Sequence, residues 1–98
     1  MKVMLPFNLL PALEGTGIAA SFGLKSGPAD NQTAVDLAAR DAEDLVRLLR
    51  ALKGELETRA ERLRKRDTQS PLGNCRRAHT DERLAQVNRA VELLAAHL

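Results

Sequence analysis

The residues with the clearest claim to chemistry are EGTGIAASFG, 14–23. Gly15, Gly17 and Ala20 fit G-x-G-x-x-A, the spacing that lets a dinucleotide pyrophosphate approach a helix N-terminus. That chemistry also needs a strand before the turn and a second, parallel strand carrying an acid some way on. Here Pro6 and Pro11 interrupt the preceding segment, and the chain that follows reads as a helical hairpin. Nucleotide binding is therefore not expected, and the glycines are read as bends that bring the segment close to the helices.

Two other chemistries are poorly supplied. Cys75 and His79 have a C-x-x-x-H spacing, but His97 is the only other histidine, so the four ligands of a structural zinc site are not in view. No Ser, His and acid trio falls on one element. Asp36, Asp41, Glu43, Asp44, Glu55, Glu57 and Glu61 alternate with Arg40, Arg47 and Arg50 in the manner of a solvated, ion-paired helix face. No catalytic residue, metal, cofactor or small-molecule substrate is expected. The single cysteine excludes an internal disulfide and fits a reducing compartment.

The basic residues form the strongest cluster. Between residues 59 and 79 seven basic groups stand against Glu61 and Asp67, which leaves the remainder of a +2 chain acidic. Arg62, Arg64, Lys65 and Arg66 end one expected helix, and Arg76 and Arg77 precede the next, so a hairpin bend would gather them. Such a tip suits phosphate contact. With no aromatic nearby to stack a base, any binding would follow the backbone rather than the sequence.

Composition favours helices. The core has only Phe7 and Phe22 as aromatics and no Trp or Tyr, so it is built from Leu, Ala and Val. Val35, Ala38, Ala42, Leu45, Leu49, Leu52, Leu56 and Leu63 step by three and four, with Arg59 at the intervening core position facing Leu84 and Val87. This predicts a helix over 33–66 with Thr33 near its cap. Ser70-Pro71 and Gly73-Asn74 predict a loop over 67–79. Thr80 is expected to cap a second helix over 80–98, whose stripe is Leu84, Val87, Val91, Leu94 and Leu98. Residues 1–32 hold four of the six glycines and three of the four prolines and predict an irregular, apolar arm.

The expected fold is all-α, a long-helix/short-helix antiparallel hairpin of coiled-coil type that forms a four-helix bundle on dimerisation. A short second helix leaves residues 33–47 overhanging, with an apolar stripe too wide for one neighbour. The expected protein interface is therefore Leu37, Ala38, Ala42, Leu45, Val46, Leu48 and Leu49, with Phe7, Leu9 and Leu10 of the arm packing over this chain, a second copy or another protein. Pro6, Asn8 and Pro11 break the initial apolar run and Glu14 closes it, so neither a secretory signal nor a membrane span is expected, and the location is read as cytoplasmic or within an intracellularly assembled particle.

These readings lead to a non-catalytic protein–protein interaction module, a homodimer or a binder of another protein. Its role would be a small regulator of the antiactivator or adaptor type, or a structural subunit of an assembly such as a phage particle. The alternative is a nucleic-acid-binding hairpin using Arg62, Arg64, Lys65, Arg66, Arg76 and Arg77. Bare helical hairpins serve all these roles, so the fold alone does not choose.

Overall fold

Thr33 to Asp36 alternates buried and outward side chains, and the inward pair, Thr33 and Val35, is β-branched. That is the period and composition of a strand. The computed structural model, which describes residues 2–27, 31–65 and 71–98, makes it one. The order is β1 (Lys2–Leu5), a 3₁₀ turn (Leu10–Leu13), α1 (Ile18–Phe22), β2 (Lys25–Ser26), β3 (Thr33–Asp36), α2 (Ala39–Lys65) and α3 (Pro71–Ala95). The chain is mostly helical, but it is not all-α: β3 is the middle strand of a three-stranded antiparallel sheet, with β1 and β2 on its two sides. Val3 lies opposite Val35 and Leu5 opposite Thr33, so one face of the β1–β3 pair turns apolar side chains inward.

The arm is thus built rather than irregular. Two glycines do what the G-x-G pattern suggested only in part. Gly17 at the start of α1 and Gly23 at its end take left-handed φ of 73° and 62°, a region costly for side chains. At Gly23 the chain closes with Leu24 N–H donating to the Ala19 carbonyl at 2.9 Å, the long bond of a Schellman-type ending. The surrounding strands pair antiparallel, not in the parallel unit of a dinucleotide site.

Thr33 fastens the arm to the sheet. It is fully buried, accepts a hydrogen bond from Leu9 N–H at 2.9 Å, and donates one to the Phe7 carbonyl at 2.9 Å. Leu5, Phe7, Leu9, Ala12, Leu13, Ile18 and Leu24 then enter one core with Leu45, Val46, Leu49, Leu52 and Leu56 of α2 and Val87, Ala90, Val91 and Leu94 of α3. Arg83 of α3 clasps the 3₁₀ turn, its Nε and Nη2 donating to the Ala12 carbonyl at 3.1 and 2.9 Å. Arg89 lies 4.6 Å from the centre of the Phe7 ring, a cation–π contact that leaves the charge in water.

Four expectations about the helices are corrected. α2 starts at Ala39, because residues 33–36 are taken by the sheet. α3 starts at Pro71 rather than Thr80, since proline is well tolerated in a helix's first turn, where no intrahelical N–H bond is lost. Residues 67–70 and Arg66 lie outside the described residues. Thr80 is therefore no cap: its hydroxyl, well inside α3, donates to the Arg76 carbonyl at 2.9 Å. The overhang also disappears, because the two long helices have 27 and 25 residues, and the arm folds back onto its own chain. With five residues between them, which reach at most about 18 Å, two such helices pack together only by running antiparallel.

Arg59 is exposed, and Ala60 is buried in its place. A straight helix drifts about 20° per heptad against a strict seven-residue repeat, so the buried row steps Leu52, Leu56, Ala60. Gly54 lies in the exposed part of α2, and an added Cβ would meet nothing within 4 Å. Gly54→Ala is expected to raise stability by about 0.5–1 kcal/mol, read as a higher midpoint in urea; no gain would mean the helix is held loosely there.

Candidate helix-face interface

α2 carries a second row of residues beside its buried one. Asp41, Asp44, Leu48, Ala51, Glu55, Arg59 and Arg62 recur on steps of three and four, which places them on one face, and every one is exposed. Leu48 is the unusual member, 44% exposed where its neighbours Leu45 and Leu49 are completely buried. It lines a groove of about 610 Å³ beside α1 and α2, together with the apolar Ile18, Leu52 and Leu56 and the charged Glu14, Glu55, Arg59 and Arg83. The α1 wall is set by Thr16, whose hydroxyl donates to the Leu13 carbonyl at 2.6 Å and accepts from Ile18 N–H at 3.2 Å. A shallower depression continues along α2 past Gly54, Thr58, Arg59 and Arg62.

The charges on this face are ordered. Acids stand at its N-terminal end, Asp41 and Asp44, and cations at its C-terminal end, Arg59 and Arg62. Among the described residues the ion pairs are Lys53–Glu57 at 3.9 Å and Lys65–Glu61 at 3.4 Å, and none of those four charges belongs to either.

The expected interface separates into two sets. Phe7, Leu9, Ala42, Leu45, Val46 and Leu49 are buried within the chain's own core or against its arm, so they are withdrawn from any surface for a partner. Leu10 and Leu37 are half-buried, Ala38 is exposed, and Leu48 alone among the large apolar members faces outward. Ile18, Glu55, Arg59 and Arg83 belong to the groove but were not expected there. The three- and four-residue spacing of Leu48 with Asp44, Ala51 and Glu55 was the available signal for the α2 members; nothing local marked the α1 wall.

The basic residues lie in the last turns of α2 and the first turns of α3. Arg62, Arg64, Lys65, Arg76 and Arg77 are all exposed, Lys65 within reach of Glu61, and Arg66 lies outside the described residues. The cluster is spread along two helix ends rather than held in a bend, because α3 already runs through Arg76 and Arg77.

Cys75 is a free, exposed thiol. Among the described residues no three His, Cys, Asp or Glu side chains converge on a metal-sized site, and no helix is long and apolar enough to cross a membrane. Compared with protein-family models, with curated proteins and with solved structures, the chain matches none.

Proposed function

We propose that this chain is a non-catalytic interaction module that binds another protein chain through the exposed face of α2, as a small regulator or as a subunit of a larger assembly. The observation that carries this reading is Leu48, an outward leucine in a groove of mixed apolar and charged lining. An exposed apolar side chain ringed by polar and charged ones matches the anatomy of a contact patch, apolar at its centre and polar at its edge. Leu45 and Leu49, completely buried beside Leu48, report on stability and not on this surface.

The test places a photo-crosslinking amino acid at position 48 and, as a control, at the exposed position 92 of α3. In native lysate, a discrete protein adduct is expected at position 48 and none at position 92, and Leu48→Glu in an untagged competitor should fail to compete. Equal labelling at the two positions would remove the reading.

A second reading rests on the exposed cations Arg62, Arg64, Lys65, Arg76 and Arg77. Contact with a nucleic-acid backbone would release counterions and make binding steeply salt-dependent. In the same experiment, a protein adduct at position 48 that survives nuclease favours the first reading. Recovery of nucleic acid that is lost on nuclease treatment and on raising the salt favours the second.

A further inference from the structure

From the order of charges on the α2 face we infer that its occupant is a second copy of the same face, run antiparallel, which makes the chain an isologous dimer. The inference rests on the reading above, and it names the partner. An isologous contact requires that if residue i meets j, then j meets i across the two-fold axis. The exposed row satisfies this by its spacing alone. Reversing α2 about the point between Ala51 and Leu52 sets Asp44 opposite Arg59 and Asp41 opposite Arg62, at both ends of the contact. The same operation brings Leu48 beside Ala51 and Glu55 of the other copy, where the small alanine lets the helices approach and the aliphatic part of the glutamate covers the leucine.

A parallel copy does not have this property. It would set acid beside acid at one end and arginine beside arginine at the other, and like charges in register oppose association. Sliding by one turn so that Leu48 meets Ala51 sets Asp44 opposite Glu55, while sliding the other way pairs Asp44 with Arg62 and Asp41 with Lys65 but leaves Arg59 without an acid of the row opposite it. The charge pattern therefore selects the antiparallel direction, and the register about Ala51 and Leu52 is the one that pairs all four charges of the row with one another. Contact over residues 41–62 spans about six helical turns. It buries roughly 1,000 Å² in total, near the lower limit of specific interfaces. A dimer of micromolar strength is expected, weakened by salt because its charges are exposed.

A charge-swap experiment tests this on the full chain. One variant carries Arg59→Glu and Arg62→Glu, the other Asp41→Arg and Asp44→Arg; all four side chains are exposed, and circular dichroism confirms that each variant keeps its helicity. In sedimentation velocity at low salt the unmodified chain should be a dimer. Each variant alone should dimerise at least tenfold more weakly, because like charges then meet at both ends. An equimolar mixture should recover the dimer, since each end again pairs an acid with a cation. Leu48→Glu should weaken the dimer without any such rescue. A monomeric unmodified chain, a dimer indifferent to the reversals, or a mixture that stays monomeric overturns the inference. A monomer whose position 48 still crosslinks a different protein overturns this inference while leaving the interaction module standing; a monomer that crosslinks nothing there removes both.

Discussion

Thr33→Val is expected to destabilise the chain by about 2–4 kcal/mol, although the two side chains have nearly the same shape. The lost hydroxyl serves two backbone groups at once, the N–H of Leu9 and the carbonyl of Phe7. Both lie in a segment that enters the core, and a buried polar group left without a partner costs roughly 1–3 kcal/mol. A domain of this length holds about 5–15 kcal/mol in all, so the change consumes a large part of it. The thermal midpoint should fall by at least about 10 °C. Thr33→Ser retains both hydrogen bonds, loses one methyl group, and should cost only about 1 kcal/mol. Urea unfolding followed by circular dichroism measures all three proteins. If valine and serine behaved alike, the hydroxyl would not be what fastens the arm.

The second expected result concerns whether the arm belongs to the same cooperative unit as the helices. Leu9 in the arm and Leu49 in α2 are both completely buried, in one continuous core. Leu9→Ala and Leu49→Ala should each cost about 3–5 kcal/mol, the transfer term plus the cavity left behind. Each should also shift a single transition, seen identically by helicity and by a fluorescent label near residue 20. Two separated transitions, or a loss below about 1 kcal/mol for Leu9→Ala alone, would make the arm an appendage resting on an independently stable helix pair. Agreement would mean that nothing short of global unfolding frees Phe7, Leu9 and Leu13 for a partner, which is why the interface reading moves to Leu48.

What could be read from residues alone follows the range of each interaction. The rows Leu45, Leu49, Leu52, Leu56 and Val87, Val91, Leu94 are local periodicities, and both helices are where those rows lie. The sheet depends on residues 2–5 meeting 33–36, a pairing that no window of ten or fifteen residues contains. In its absence Val35 and Ala38 fit the three-and-four stepping well enough to extend the helix backward over a strand. The start of α3 was missed for a different reason. Gly73 and Asn74 are turn formers by propensity, and the structure overrides that preference while Pro71 takes a first-turn position that suits it. The exposed row on α2 was legible as charges on a solvated face. Its match to its own reverse becomes meaningful only once Arg59 is known to point outward and Leu45 and Leu49 inward.

Arg83 holding the Ala12 carbonyl joins positions 71 residues apart, and this long closure has a consequence for how the molecule comes into being. At ribosomal speeds of about 5–20 residues per second, residues 7–13 emerge roughly 4–14 seconds before the helix that receives them. Through that interval the leucines and Phe7 have no finished surface to settle on, while α2 has yet to meet its companion. Helix pairs alone assemble quickly, and distant closures slow the whole. The arm is therefore synthesised before both long helices and is among the last parts to find its place, so its exposure to aggregation and proteolysis lasts until α3 is made.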